Sequence, residues 1–241
     1  MSLAAIIFDV DGTLADTERD GHRPAFNAAF AEAGLGWNWD ERLYGELLAV
    51  TGGKERIRHY ATLHDPGFLR DPDSENRIAR LHAGKTRHFL TLLESGGIPL
   101  RPGVARLIGE SRDQGVRLAI ATTTTPENIS TLLRVNFGPE AEGWFEVIGA
   151  GDVVPAKKPA PDIYFWVLRR LALPAGACLA IEDSANGLMA SLGAAIPTLI
   201  TTNAYTADQD FSGALEVIPD LGATDLARLR QLHLATYGRH K

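Results

Sequence analysis

Ala4-Ala5-Ile6-Ile7-Phe8-Asp9-Val10-Asp11-Gly12-Thr13 is an apolar run that stops abruptly at two carboxylates spaced i and i+2, with a glycine and a hydroxyl directly after them. A strand buried on both faces reads as a continuous apolar run, and Leu3 to Phe8 fits one. Acids at the end of such a strand stand at the carboxyl edge of a sheet, where open α/β folds keep their ligands. Gly12 permits a turn that a side chain would forbid. Taken alone, Asp-x-Asp-Gly is equally consistent with a strand that ends in an ordinary polar turn.

Outward from this stretch the chain has two textures. Residues 17 to 96 read as helix and loop throughout. Residues 14 to 21 are polar and read as a loop. His22 to Ala33 carries an apolar stripe at Phe26, Ala29, Phe30 and Ala33, with Pro24 in its first turn. Asp40 is placed to cap a short helix with Leu43, Leu47 and Leu48. Thr51-Gly52-Gly53 breaks that helix, Lys54 to Leu63 is helical again, and Ser74 to Glu94 forms a long amphipathic helix. Trp37-Asn38-Trp39 reads as packing within this block. After Gly96-Gly97, short apolar runs alternate with helices: Arg117 to Ala121, Phe145 to Gly149, Cys178 to Ile181 and Thr198 to Ile200, with Leu215 to Ile218 as a short edge strand. The helices fall at about 103–114, 127–136, 160–172, 185–194 and 224–234. This alternation predicts βαβ units and a parallel sheet with right-handed crossovers. The first strand has no partner nearby and must join the later ones. The expected fold is therefore α/β, a doubly wound, Rossmann-like parallel-sheet core (residues 1–16 and 97–241), with an inserted all-helical cap domain (17–96).

The bulk properties narrow the function. A chain of 241 residues, 45% hydrophobic, is long enough for a core domain with an insert. A formal charge of −6 argues against a general nucleic-acid binder. No run approaches the roughly 18 apolar residues of a membrane span, and the N-terminus has no basic n-region. The single cysteine, Cys178, lies in an apolar run and reads as a buried strand residue. The expected setting is cytoplasmic, and a monomer suffices for a capped fold.

Three apolar runs end in polar groups: Phe8 in Asp9 and Asp11, Ala121 in Thr122 and Thr123, Ile181 in Glu182 and Asp183. In a parallel sheet these ends share one edge. Four converging carboxylates repel one another unless a cation sits among them. Magnesium suits one or two carboxylates, waters and a substrate phosphate oxygen. The plainer reading of Glu182-Asp183-Ser184 is a helix cap. A fourth piece, Lys157-Lys158-Pro159-Ala160-Pro161-Asp162, puts a lysine on a stiff loop at the same edge.

This set resembles the haloacid dehalogenase-like superfamily. Phe-Asp9-Val-Asp11-Gly-Thr-Leu matches its first motif, Thr122 the hydroxyl motif, Lys158 the lysine motif and Glu182-Asp183 the acidic motif. The resemblance implies a Mg2+-dependent phosphatase in which Asp9 is the nucleophile and forms an aspartyl phosphate. It implies Asp11 as acid and base, Thr122 and the following backbone N–H groups as the phosphoryl cradle, with Thr123 among the substrate contacts, and Lys158 as the neutralising cation. Asp9, the Asp11 carbonyl and Asp183, with Glu182, would hold the metal. Asp16-Thr-Glu18-Arg-Asp-Gly-His22-Arg, Thr51-Gly-Gly-Lys54-Glu-Arg56 and Ala121-Thr-Thr-Thr124 further resemble the CbbY-type branch. That implies a small-molecule sugar phosphate, xylulose-1,5-bisphosphate, as substrate. Glu18 and His22 would meet sugar hydroxyls or the reacting end, and Tyr44, Lys54 and Arg56 the distal phosphate. A sugar-phosphate mutase of the β-phosphoglucomutase type, a broad-specificity phosphatase and a non-catalytic sugar-phosphate-binding module are the alternatives.

Overall fold

The structure, a computed structural model, describes residues 2–238 of the chain. Two compact units emerge, one formed by residues 1–16 and 99–241, the other by 17–98.

The first unit is built on a parallel sheet of β1 (Ala5–Phe8), β2 (Arg117–Ala121), β3 (Phe145–Gly149), β4 (Cys178–Glu182), β5 (Thr198–Thr201) and β6 (Glu216–Ile218). The strand order is β3-β2-β1-β4-β5-β6. Every pairing is parallel. The chain winds outward from β1 in one direction through β2 and β3. It then returns to the other side of β1 with β4, so the topological switch lies between β1 and β4, where ligands of such sheets bind. β1 is apolar at every position because it is central and covered on both faces, and its four residues are fully buried. Phe8 pairs with Ile120 on β2 and with Ile181 on β4. The residues that follow, Asp9, Ala121 and Glu182, therefore stand level at the carboxyl edge.

Among the helices of this unit, α7 (Asp162–Leu171) and α8 (Ala185–Gly193) pack on one face of the sheet. Ile163, Tyr164, Val167 and Leu171 meet Ala5, Ile7, Ala119, Cys178 and Ala180 there. Cys178 is an inert core residue, its thiol pushed up to about 11 by burial. α5 (Val104–Asp113) lies outside that cluster and touches β2 and α9 (Leu226–Gly238). α6 (Pro126–Phe137) connects β2 to β3, with its proline in the first turn.

The second unit contains α1 (Arg23–Glu32), α2 (Glu41–Leu47), α3 (Gly53–His64) and α4 (Ser74–Glu94). Asp40 caps α2 by accepting a bond from the Leu43 N–H at 2.8 Å. Trp39 is fully buried among Phe26, Phe30, Tyr44 and Tyr60. Asn27 clamps its main chain, accepting from the Trp39 N–H at 2.8 Å and donating to its carbonyl at 2.9 Å. Among the described residues no helix is long and apolar enough to cross a membrane.

The structure departs from the sequence-based expectations in two places. Residues 14–21 are not a plain loop. Leu14 and Ala15 are buried, Ala15 bridges to Leu100, and Glu18–His22 coil as a π-helical turn leading into α1. Gly21 makes that turn possible, since a Cβ there would lie 2.6 Å from the Phe89 ring. The exposed Arg19–Asp20 ion pair gives the segment its loop-like composition. The second difference is that the helical unit continues through Ile98, two residues beyond the expected boundary. Ile98 is buried and packs beside Gly21, so it belongs with the helices.

Candidate active site

At the carboxyl edge of the first unit, Asp9, Lys158, Glu182 and Asp183 come together, all buried. The Lys158 ammonium donates to Asp9 Oδ1 at 2.6 Å, to Glu182 Oε1 at 2.5 Å and to the Ala121 carbonyl at 2.8 Å. One carboxylate oxygen from each of Asp9, Glu182 and Asp183 lies within 4.8 Å of the others. The Asn203 amide donates to Asp183 Oδ2 at 2.6 Å. Thr122, fully buried at the end of β2, is held by its N–H on the Gly149 carbonyl, and its Oγ1 accepts from the Thr124 N–H at 3.3 Å. Asp11 is half-buried in the turn that follows, where its main chain bridges to Ala15.

The electrostatics of this group are unbalanced. Burial pushes Asp9 up to about 8; Lys158 opposes the shift, while Glu182 and Asp11 add to it. Asp183 is likewise held well above the usual carboxylate range by burial and by Asp9 and Glu182. Burial disfavours the Lys158 charge, but Asp9 and Glu182 outweigh it and its pKa rises. One ammonium thus faces three buried carboxylates. A hard cation is what such an oxygen-donor set accommodates, and the three acids can hold a metal ion.

A family model for haloacid dehalogenase-like hydrolases matches residues 3–194. The chain belongs to the haloacid dehalogenase-like hydrolase family. The CbbY protein of Cupriavidus necator is 53% identical over 91% of this chain and 86% of its own length. Among solved structures, CbbY of Rhodobacter sphaeroides in complex with phosphate is 44% identical, with a TM-score of 0.85, covering 95% of this chain and 99% of that one. A mutant of the same protein in complex with xylulose-1,5-bisphosphate gives a TM-score of 0.86 at the same identity and coverage. This chain is therefore a hydrolase of the CbbY branch, and a phosphatase.

Two supports of the hydrolase site escape a reading of its motifs. Tyr164, on α7 and fully buried, donates its hydroxyl to Glu182 Oε1 at 2.5 Å, the oxygen that Lys158 also uses. Burial and Glu182 hold the phenol well above its usual pKa, so it remains a donor. The signal in the sequence was its place six residues after Lys158, one helical turn into a segment whose start the prolines pin. The second support is Gly187. A Cβ there would stand 1.9 Å from Glu182 Oε2, and Glu182 cannot retreat while Tyr164 and Lys158 hold its other oxygen. Gly187→Ala is expected to cost about 1–3 kcal/mol of stability, with a loss of turnover as Glu182 and Lys158 are displaced. Thermal melting and a phosphate-release assay check this. Ser184 does cap α8, accepting from the Gly187 N–H at 3.2 Å, but Glu182 and Asp183 take no part in the cap.

Within the helical unit of the hydrolase, Glu18, Tyr44 and Arg56 form one constellation. The Tyr44 hydroxyl donates to Glu18 Oε2, and Arg56 Nη1 donates to the Tyr44 oxygen at 2.9 Å. Arg56 Nη1 stands 3.9 Å from Glu18 Oε2, and its Nε reaches the Leu47 carbonyl at 3.2 Å. His22 is buried with its ring centroid 3.9 Å from that of Phe89. Lys54, in the first turn of α3, is exposed and stands outside this group. Thr123, next to Thr122 in the first unit, is half-buried.

Proposed function

We propose that this phosphatase is magnesium-dependent and hydrolyses xylulose-1,5-bisphosphate to xylulose 5-phosphate through an aspartyl phosphate. The observation that carries the substrate is the xylulose-1,5-bisphosphate complex of the Rhodobacter sphaeroides protein, at 44% identity over nearly the whole chain. The buried acid–lysine cluster supports the chemistry.

In this reading Asp9 attacks phosphorus, and the bond to the sugar oxygen breaks as the acyl phosphate forms. Asp11 gives its proton to the leaving sugar oxygen. The Asp11 carboxylate then takes a proton from the water that attacks phosphorus, releasing phosphate and restoring Asp9. Thr122, with the next N–H groups at Thr123, cradles the phosphoryl oxygens. Lys158, already bonded to Asp9, neutralises the charge that grows on the Asp9–phosphate pair. Asp9, Asp183, Glu182 and the Asp11 carbonyl would hold a magnesium ion, which would supply the positive charge a phosphate needs to approach these carboxylates. Glu18, His22, Tyr44, Lys54 and Arg56 are assigned to the sugar bisphosphate. A guanidinium is well suited to phosphate or carboxylate, so Arg56 is the strongest of these.

The test is phosphate release from xylulose-1,5-bisphosphate, fructose-1,6-bisphosphate and β-glucose-1-phosphate, each with Mg2+ and with EDTA. Release from the first far above the others, abolished by chelation, is expected. Comparable rates across the panel indicate a broad phosphatase. Isomerisation of the glucose phosphate without net release indicates a mutase, and thermal stabilisation by ligand without turnover indicates a binding module. Arg56→Met is expected to raise KM for the bisphosphate about tenfold or more, the scale of one lost charged hydrogen bond, with a smaller change in kcat. Steady-state kinetics on the preferred substrate decide whether Arg56 binds.

A further inference from the structure

Arg101 is 7% exposed, yet it carries a full charge and belongs to none of the motifs. It stands in the first unit, where the chain returns from the helical insert. Its main-chain N–H donates to the Leu14 carbonyl at 2.8 Å, and the preceding Leu100 bridges to Ala15. Its guanidinium gathers segments far apart in sequence. Nη1 donates to the Gly12 carbonyl, to the Thr201 carbonyl at 3.1 Å and to Thr201 Oγ1 at 3.2 Å. Nη2 donates to the Thr202 carbonyl at 2.5 Å and to the Pro219 carbonyl at 2.7 Å. Nε lies 3.4 Å from Asp16 Oδ1.

Burying a guanidinium is costly unless its donors are satisfied, and a packed apolar residue often serves stability as well. The acceptors therefore matter more than the charge. Gly12 directly follows Asp11. Its backbone is so close to the acidic cluster that a Cβ there would lie 2.2 Å from Asp183 Oδ2 and 2.7 Å from Asn203 Nδ2. Gly12 also has φ +85°, a conformation that its neighbours must hold in place. Thr202 directly precedes Asn203, whose amide holds Asp183. One nitrogen of the guanidinium thus reaches Gly12, next to Asp11, and the other reaches Thr202, next to the Asn203 that bonds Asp183. Lysine, a point charge with three donors, cannot span these carbonyls as a planar fork does.

We propose that Arg101 is a positioning residue of the phosphatase: it braces the Asp11–Gly12 turn against the Thr201–Asn203 segment, and so sets Asp11 and Asp183 relative to Asp9. The role rests on the phosphatase reading of the site and adds to it a residue outside the four motifs.

Arg101→Lys, Arg101→Gln, Asn203→Ala and the Arg101→Lys/Asn203→Ala double variant are assayed for phosphate release, after circular dichroism has identified the folded ones. Each single variant is expected to lower kcat roughly tenfold or more, since small displacements of catalytic groups are costly, while KM moves less than about threefold. The double variant is expected to lose less than the product of the single losses, because both changes act through one brace. A folded Arg101→Lys enzyme with wild-type kcat overturns the proposal, as do losses that multiply in full. Failure of both Arg101 variants to fold assigns the residue to the fold alone and overturns it as well. Wild-type turnover measured alongside separates the two readings. An inert wild type refutes the phosphatase reading, whereas an active wild type with unaffected variants refutes the role of Arg101.

Discussion

Asp9→Asn is expected to leave a folded protein that releases phosphate roughly 10⁵-fold more slowly or worse, the scale on which loss of a covalent nucleophile acts. The amide is isosteric, so packing beneath Phe8 is preserved, but it cannot form the acyl phosphate. The same change should not lower stability. In metal-free buffer the Asp9 carboxyl sits near 8 in the fold, pushed up first by burial and then by Glu182 and Asp11 against the pull of Lys158. Unfolded, it titrates at about 3.9. A raised carboxyl pKa means that the native state binds more protons between these values, so the wild type loses stability as pH rises through that window. The neutral amide escapes this loss. The Asp9→Asn variant in EDTA is therefore expected to melt no lower than wild type at pH 8, with any advantage disappearing near pH 4. A folded variant that keeps wild-type turnover rules out Asp9 as nucleophile; a variant that melts well below wild type at pH 8 refutes the charge argument.

Lys158→Met is expected to impair both folding and chemistry. It removes the ammonium that donates to Asp9 and Glu182 and leaves two buried carboxylates facing Asp183 without a counter-charge. Breaking a buried pair in this way costs about 3–5 kcal/mol, or a fall in melting midpoint of about 10 °C for a chain of this size. Turnover should fall about 10²–10³-fold, as when one transition-state donor is lost. Arginine is not expected to rescue it, because its fork is larger than the buried space an ammonium fills. Added Mg2+ should narrow the stability gap by restoring positive charge among the acids. Melting curves of both variants with Mg2+ and with EDTA test this. A Lys158→Met protein as stable as wild type in EDTA would contradict the account of the cluster.

The sequence of this hydrolase was informative where structure is local. An apolar run that ends in Asp9, another that ends in Thr122 and a third that ends in Glu182 and Asp183 each declare a strand and its carboxyl end. A parallel sheet places all such ends on one edge. Period and punctuation likewise located α2 behind its Asp40 cap and α8 behind Ser184, because capping is a matter of three or four residues. In the π-helical turn at Glu18–His22, composition pointed the wrong way. The exposed Arg19 and Asp20 are typical of loops, and the turn exists because Gly21 fits against Phe89, some seventy residues later.

Tertiary structure alone decided which groups hold the site in place. Lys54 and Arg56 are two residues apart and chemically alike, yet one is exposed and the other is buried against Tyr44 and Leu47. Tyr164 serves Glu182, Gly187 leaves room for it, and Arg101 ties Gly12 to Thr202, a partner 101 residues away. None of these contacts leaves a periodic trace in the chain. A residue's chemistry states what it can donate, accept or displace, and strand and helix periods state which way it faces. Which atom it meets is settled by packing between segments far apart in sequence, and that packing exists only once the sheet has assembled around β1.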